Sequence, residues 1–493
     1  EPVWESCGTI AEPPVYTPSE PLSDGEWTLR ARARSGDIIG FSNAMTFTVG
    51  PWSVAYEVTP STYAAGAHPN LDVKITPDQA GQLRAVDLTF PKGFIGSLAS
   101  FPKCPIGDVE SANCPPETKM GTVDVDYQIA GQGGLQPTDG TVYFTEPQAA
   151  EDVAGLVVKV NSPVSQFLDV IIPLRVQLVN NAQQMRIFTD SIPTVVGDED
   201  DPEKFTNFWV NEFVMHVDGA SGSPVPLMTN PSRCAPGEFS ATFGDIEGNS
   251  TEVQTIAHQA TNCDALPFAP TITQTFPNAA ASTRTGVITD VTLPLGNSTI
   301  STLRVSEPPA LGPNFPSFGA ADDRCPGSAA PDENGLFNAN ECPASAIVGE
   351  VSVESPLLTE PLTGQVYLIN KQPLPFLGLT LEGQGISMRL YGETDLTKVD
   401  PTCGVVNPNQ FCQKRITVVF NNIPDLPLSS IHMDLNKPDR PIGSGAMASS
   451  KLFVAVAKGD VLCTATSPVD SVFSPHSGGT DVTSRQAIPI AGC

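Results

Sequence analysis

The chain has 493 residues, and its 26 basic and 54 acidic side chains give a formal net charge of −28. This acidity argues against a nucleic-acid partner and against docking on an anionic membrane, because both require a basic surface. No apolar run is long enough for a membrane-spanning helix. Pro (48) and Gly (41) are frequent and 40% of residues are hydrophobic, which favours a folded protein of short strands and turns.

The first 49 residues are predicted to be the C-terminal part of a β-sandwich. Trp27 and Leu29 alternate with polar neighbours, and the same period of two returns over residues 45–49 after a turn at 35–37. Two strands do not form a stable domain by themselves. The remainder of this sandwich is therefore expected upstream of residue 1 or from another chain.

Two segments of this region resemble the second half of a bacterial immunoglobulin-like surface domain. They are Trp4-Glu5-Ser6-Cys7 and the stretch from Leu22 to Ala33. In that family the cysteine near the tryptophan pairs with one further upstream. The resemblance implies that Cys7 has its partner outside this sequence, which accounts for the odd number of cysteines.

The rest of the chain shows an internal duplication, with copies expected at 50–265 and 266–493. Five landmarks recur in the same order: Cys104, Cys114-Pro115 and Gly121 against Cys325, Cys342-Pro343 and Gly349, then Gly140–Phe144 against Gly364–Leu368, then a late cysteine pair in each copy. The duplicated pattern is similar to repeats in large secreted proteins of high-GC Gram-positive bacteria. That resemblance implies a cell-surface location and no particular mechanism.

Each copy is predicted to be a β-sandwich with long loops, so the fold class is all-β with tandem disulfide-stapled sandwiches. Pro173 interrupts the apolar run 167–179 and is expected to mark an edge, a bulge or a break. Two separate strands are expected at 208–210 and 213–217. Residues 452–456 fit a strand in either of two registers.

Ten cysteines are predicted to form five local disulfides, since each has a near neighbour in sequence. The pairs are Cys104–Cys114, Cys234–Cys263, Cys325–Cys342, Cys403–Cys412 and Cys463–Cys493. The Cys403–Cys412 pair has no counterpart in the first copy and indicates an insertion. Five such bonds predict an oxidising, extracellular or cell-surface compartment. A zinc site is disfavoured, because no Cys-x-x-Cys motif occurs and the five histidines are scattered.

Motifs for catalysis find little support in this sequence. There is no Gly-x-Ser-x-Gly elbow, and His432 and His476 have no recognisable triad partners. The glycine-rich segment 131–134 lacks the Lys and Ser/Thr of a phosphate-binding loop, so it is interpreted as a flexible turn. A carboxylate pair for glycoside hydrolysis stays open, because sequence does not give the separation between acids.

Two groups of polar residues are either surface sites or ordinary solvated loops. Oxygen-rich side chains suited to Ca²⁺ cluster at Asp198, Glu199, Asp200 and Asp201, although their spacing does not match an EF-hand. Asn249 and Asn297 begin Asn-x-Ser/Thr sequons, which in a glycosylating host would mark exposed loops.

Together these features predict a non-enzymatic extracellular structural or adhesive protein, a segment of a cell-surface rod, appendage or filament. No cofactor other than Ca²⁺ is expected. Expected partners are cell-surface or matrix components, or further copies of the chain joined by strand addition, with no nucleic acid and no membrane span. The alternative is an extracellular polysaccharide-binding module or glycoside hydrolase.

Overall fold

The protein is all-β in a computed structural model. The model describes residues 25–493 except 31, 36–37, 43, 50–51, 79–81, 131–133, 163–166, 198–204, 330–336, 404, 406–411, 422, 442–446, 450, 461 and 464–466. Two small sheets lie near the start: β1 (Gly25–Leu29) pairs with β4 (Met45–Val49), and β2 (Arg32–Ser35) pairs with β3 (Ile38–Phe41). The predicted alternation at 27–29 and 45–49 thus lies in paired strands, while Cys7 lies outside the described residues.

The next part of the chain builds a large antiparallel sheet, here named barrel 1. Its strands and the short strands beside it are β5 (Val54–Pro60), β6 (Leu71–Pro77), β7 (Leu83–Thr89), β8 (Ile95–Gly96), β9 (Lys119–Ile129), β10 (Gln136–Thr145), β11 (Ala154–Val160), β12 (Val170–Val179), β13 (Gln184–Thr189), β14 (Val195–Gly197), β15 (Phe205–Val217), β16 (Met228–Thr229), β17 (Gly237–Asp245) and β18 (Gln254–His258). The strand order is β5-β6-β15-β9-β10-β11-β12-β13-β7-β17-β18. Outside this order, β14 pairs with β15 and β8 pairs with β16.

The remaining residues build a second large sheet, named barrel 2. Its strands and the short strands beside it are β19 (Thr271–Thr275), β20 (Arg284–Thr285), β21 (Ile288–Thr292), β22 (Ile300–Ser306), β23 (Leu311–Pro313), β24 (Ile347–Glu354), β25 (Leu362–Ile369), β26 (Phe376–Gly383), β27 (Ile386–Lys398), β28 (Lys414–Phe420), β29 (Ser430–Asp434), β30 (Arg440–Pro441), β31 (Met447–Ala448), β32 (Phe453–Ala455), β33 (Ser467–Pro475) and β34 (Val482–Ile488). The strand order is β19-β21-β29-β24-β25-β26-β27-β28-β22-β33-β34, and β20, β32 and β23 form a separate three-stranded sheet.

The two large sheets have the same topology. When both orders are read from the first strand of the sheet to the last, each of the eleven strands in the order of barrel 1 has a counterpart in barrel 2 that occupies the same place in the sheet and in the chain. The registers agree as well: Gly121 lies opposite Val142 and Gly349 opposite Val366, the glycines that the sequence landmarks had matched.

Each sheet curls until its first and last strands meet. In barrel 1 the segment after β18 returns beside the segment after β5, where Ala65 donates to the Thr261 carbonyl at 2.8 Å in a parallel bridge. In barrel 2, Ala281 donates to the Ala491 carbonyl at 2.8 Å. A parallel seam follows from the strand number, because eleven strands in antiparallel sequence leave the first and last pointing the same way.

The predicted sandwich arrangement is therefore not confirmed. The residue pattern did identify half-buried strands, but the strand pairing joins all eleven into one continuous sheet per barrel, where a sandwich would have two stacked sheets. Alternating burial, as in β5 and β33, is compatible with either arrangement, since both bury one face of every strand.

The structure tests three predictions about individual strands. Pro173 lies inside β12, opposite Val157, but pairing of β12 with β13 begins only at Arg175, so this strand has a local edge at the proline. The two strands expected at 208–210 and 213–217 are one strand, β15, in which the register shifts between Val210 and Glu212. In β32 the register with Phe453 and Ala455 buried is the one observed.

Helical structure in the described residues is confined to 3₁₀ turns. They are Ile106–Asp108, Pro116–Thr118, Cys263–Ala265, Phe315–Phe318, Ala321–Asp323, Gly327–Ala329, Ala339–Glu341 and Ala344–Ala346. Across the described parts of the chain, no helix has the length and apolar character needed to cross a bilayer.

Candidate functional site

The described residues contain five disulfides, and these join the pairs that the sequence spacing predicts. The bonds are Cys104–Cys114, Cys234–Cys263, Cys325–Cys342, Cys403–Cys412 and Cys463–Cys493. Their sequence separations run from 9 to 30 residues, so each bond fixes a local loop. Five disulfides indicate an oxidising compartment.

Two of these disulfides attach their loops to the same place in each barrel. The Cys104 N–H donates to the Phe144 carbonyl at 2.8 Å, which places this cysteine beside the end of β10. The Cys325 N–H donates to the Leu368 carbonyl at 2.8 Å, beside the end of β25. Both cysteines are fully buried, and each disulfide closes a loop that backbone hydrogen bonds attach to its sheet.

Only some of the other sites predicted from the sequence lie within the described residues. Asp198, Glu199, Asp200 and Asp201 lie outside the described residues, and within the described ranges no group of His, Cys, Asp and Glu is arranged to hold a metal ion. Asn249 is exposed in a turn, where its amide donates to Asp245 at 2.7 Å. The Asn297 side-chain oxygen accepts the Ala269 N–H at 2.8 Å, in the segment that links the barrels.

The two barrels meet at a buried carboxylate that sequence reasoning missed. Asp425 lies in the loop between β28 and β29 of barrel 2, and it is 6% exposed. Its Oδ2 accepts the Ser232 N–H of barrel 1 at 3.0 Å, and its Oδ1 accepts hydrogen bonds from the Ser232 and Thr299 hydroxyls. The two hydroxyl oxygens are 2.7 Å apart. Two donors from barrel 1 and one from barrel 2 thus satisfy the buried carboxylate at the junction.

A second polar contact joins the barrels through a hairpin turn. Asn180, Asn181 and Ala182, between β12 and β13, all have positive φ, a conformation that asparagine tolerates better than most residues. This turn presents Asn181 to barrel 2, where its amide donates to the Arg389 carbonyl at 2.8 Å and its oxygen accepts the Arg389 N–H at 2.6 Å. The side chain thus pairs with β27 as a neighbouring strand would.

Apolar packing surrounds these polar contacts. Leu98, Met185 and Leu227 of barrel 1 line a cavity of about 60 Å³ together with Leu357 and Met388 of barrel 2. The Leu98 N–H also donates to the Leu357 carbonyl at 2.7 Å. The buried apolar residues of both barrels form one continuous cluster, so the junction is a shared core rather than a tether.

A larger recess opens beside Asp425, with a volume of about 230 Å³. Leu295 and Pro427 give it apolar walls, and His68 and Asn230 give it polar groups. The Asn230 amide donates to the Thr62 and Ala64 carbonyls, while its buried oxygen has no protein partner. In the recess, His68 Nδ1 lies 2.9 Å from the Met228 carbonyl oxygen and 3.2 Å from Thr229 Oγ1.

Histidine–aspartate pairs cross two neighbouring strands in each barrel. His216 on β15 contacts Asp72 at 2.7 Å and Asp124 at 3.1 Å, and these contacts raise the pKa of its imidazole. His432 on β29 contacts Asp290 at 2.6 Å. Both histidines are exposed on the sheet surface, so the pairs tie strands together on an open face. The partner of His432 was not predictable from the sequence, because Asp290 is 142 residues away.

Comparison with known proteins adds no family to this description. No protein-family model matches the chain, and no curated protein is similar to it. Among solved structures, Escherichia coli alpha-2-macroglobulin activated by porcine elastase aligns with 95% of this chain at 10% identity and a TM-score of 0.07. The chain spans 47% of the length of that structure.

Proposed function

We propose that this chain is a non-enzymatic extracellular protein with a structural or adhesive role, working as part of a cell-surface rod, appendage or filament. The observation that carries the proposal is the junction at Asp425, where two disulfide-stapled barrels share a core. Units joined in this way transmit force without bending between them. A pair of enzyme or binding domains on a flexible linker would not need such a junction.

The segment that follows Cys263 supports the same interpretation. The Ser298 N–H donates to the Pro267 carbonyl at 2.9 Å, and Ala269 donates to Asn297. These bonds attach the connection between the barrels to barrel 2 along its length. The two barrels repeat the same sheet, the same first disulfide loop and the same closing seam. Because the connection between them is held to barrel 2, we propose that they form one stiff unit.

Self-association, if the chain polymerises, is proposed to use the region before residue 50. The segments that follow the end strands of each large sheet bridge each other, so part of the sheet edge is closed to strand addition. By contrast, β1 with β4 and β2 with β3 form two-stranded sheets, whose outer strands present hydrogen-bonding edges. A neighbouring chain would complete a sandwich there.

The alternative of glycoside hydrolysis gains less support from the described residues. Asp72 and Asp124 are brought together, but His216 lies between them and contacts both. Glu151 and Asp152 are also neighbours, and both bind Arg175. A hydrolytic pair needs the space between its carboxylates for the scissile bond and for water, and these pairs have that space filled by a cation.

Localisation and glycan binding together test the proposal. Immunogold labelling of intact source cells, with antibodies raised against the purified chain, is expected to mark surface rods or filaments. In parallel, the chain is applied to a polysaccharide array and to generic glycosidase substrates, with no binding or turnover expected. Label confined to the cell interior would refute the structural role, and saturable glycan binding or turnover would establish the alternative.

A further inference from the structure

The interior of barrel 2 contains a cavity of about 80 Å³ whose wall is mainly apolar. Val305 and Leu377 are typical of that wall. Four polar side chains also line it, none more than 7% exposed: Gln274, Thr289, Glu307 and Thr394. Polar groups at such depth require hydrogen-bond partners, so their bonds can be counted one by one.

Three buried side-chain oxygens around this cavity have no hydrogen-bond partner in the protein. The Gln274 amide donates to Thr289 Oγ1 at 3.1 Å and to Glu307 Oε1 at 3.2 Å. Glu307 Oε2, Gln274 Oε1 and Thr394 Oγ1 are buried and have no protein partner. A buried acceptor without a donor destabilises the fold, so three of them around one cavity indicate that something else supplies the donors.

Barrel 1 shows that the fold does not need these polar residues. The Phe90 N–H donates to the Met185 carbonyl at 2.8 Å, and the Glu307 N–H donates to the Ile416 carbonyl at the same distance, each directly after the corresponding strand. When the registers are followed around both sheets, the polar residues Gln274, Thr289, Glu307 and Thr394 take the places of the buried apolar residues Val58, Val73, Phe90 and Val176. One barrel interior is therefore apolar, and the other is polar at four matching positions.

The carboxyl group of Glu307 is suited to pairing with a positive charge. Burial raises its pKa to about 7, against the opposing effects of the Gln274 hydrogen bond and the Arg415 charge. Neither oxygen of the Glu307 carboxyl accepts a hydrogen bond from Arg415, whose guanidinium donates to Asp470 at 2.5 Å. A cation that entered the cavity would stabilise the ionised carboxylate.

We infer that the interior of barrel 2 is a binding site for a small primary alkylammonium. An ammonium head has three N–H donors, and three buried oxygens without a protein partner belong to residues that line the cavity, Glu307, Gln274 and Thr394. Its alkyl chain lies against the apolar wall. A water molecule needs roughly 10–15 Å³ by the same measure, so the cavity holds a body of roughly five heavy atoms, the size of n-butylammonium.

Phe318, Leu374 and Phe453 line the cavity, and Phe453 belongs to β32 of the three-stranded sheet. We place the entry of the ligand at these side chains. These elements are outside the continuous strand ladder of barrel 2. They can move aside without breaking a bond of the main sheet.

Calorimetric titration of the intact chain with n-butylammonium chloride at pH 8 tests the inference. We expect saturable binding at one site, weakened at least tenfold in Glu307→Gln and lost in Glu307→Phe, which restores the residue type of barrel 1. Glu393→Gln is the matched control, because this exposed neighbour of Thr394 lies on the same strand. It should bind as the parent chain does.

The neutral analogue 1-butanol separates recognition of the ammonium from simple filling of an apolar space. It is expected to bind at least tenfold more weakly than n-butylammonium. Equal binding of the two ligands, undiminished binding by Glu307→Gln, or no saturable binding at all would overturn the inference. Near-ultraviolet circular dichroism identifies any variant that fails to fold, and Glu307→Gln alone decides the case if Glu307→Phe is such a variant.

Discussion

Gly93 of barrel 1 lies so close to Asp425 of barrel 2 that a methyl group on its Cα would be 2.7 Å from the carboxylate Oδ2. Its φ of +81° is also a conformation that favours glycine. The junction therefore depends on the absence of a side chain at this position. Gly93 thus has a role in joining the two barrels.

The substitution Gly93→Ala is expected to destabilise the protein by about 2–4 kcal/mol, because it adds a steric clash to the backbone strain. Guanidinium unfolding measures the change. Gly248→Ala provides the matched control, since Gly248 has φ +87° and no atom within 4 Å of the added methyl. If both variants lost the same stability, contact with Asp425 would have no part in the effect.

Replacing Asp425 by Ala should destabilise the chain by about 3–5 kcal/mol, as expected for removing one partner of a buried charged network. The loss leaves the Ser232 N–H and the Ser232 and Thr299 hydroxyls without their acceptor. A double-mutant cycle with Ser232→Ala should show strong coupling. Asp439→Ala, at an exposed position, serves as control. Independent effects of Asp425 and Ser232 would contradict the junction described above.

The structural features that could be predicted from the sequence are those that depend on residues close together in the chain. Period-two patterns located several strands, among them β1, β4 and β32, and cysteine spacing predicted the five disulfides, because alternation and short loops are local properties. The closing of each sheet was not predictable in this way. It depends on β7 pairing with both β13 and β17, and no local pattern specifies partners so far apart.

The candidate sites were missed for the same reason. Asp425 and Ser232 are 193 residues apart, and each by itself resembles any polar loop residue. Glu307 had a usable signal: Leu303 and Val305 face the interior, so a period of two places Glu307 inside as well. His216 could likewise be placed outside, because its strand neighbours Met215 and Val217 are buried.

Two disulfides close loops of nearly equal length but differ in burial. Comparing them therefore separates the contribution of loop entropy to stability from the contribution of packing. Cys104–Cys114 spans 10 residues with Cys104 fully buried, whereas Cys403–Cys412 spans 9 residues with both cysteines half-buried. Replacing either pair by serines should cost about 2–3 kcal/mol from the loop term. The Cys104 variant should lose about 1–2 kcal/mol more, because it buries an unsatisfied hydroxyl. Thermal and guanidinium unfolding of both variants should show this order, and the reverse order would contradict it.

Glu307 should make the protein less stable as the pH rises. Its folded pKa of about 7 lies above the value of 4.5 for an ordinary glutamate, so the unfolded chain ionises first and stability falls between pH 4.5 and 7. This group alone should account for about 3 kcal/mol, by 1.36 kcal/mol per unit. Unfolding free energies at pH 5 and pH 8 are compared for the parent chain and Glu307→Gln. The variant should lose most of the difference, and an unchanged pH profile would exclude Glu307 as its source.

His216 should contribute in the same direction, through a favourable interaction of its charged form. Asp72 and then Asp124 raise the pKa of its imidazole, so this stability is complete below the unfolded value of 6.5 and is lost as the pH rises through the folded value. A proton NMR titration should give His216 a pKa above 6.5. Asp72→Asn should lower it more than Asp124→Asn, since Asp72 is the stronger cause.

His258 provides an internal reference in the same NMR titration. It packs against Phe94 and Phe239, has no hydrogen-bond partner, and burial lowers its pKa. The two histidines should therefore titrate on opposite sides of 6.5, and neither Asp72→Asn nor Asp124→Asn should move His258. If His216 titrated below His258, or if Asp72→Asn left its pKa unchanged, the pair across β6 and β15 would not stabilise the charged imidazole.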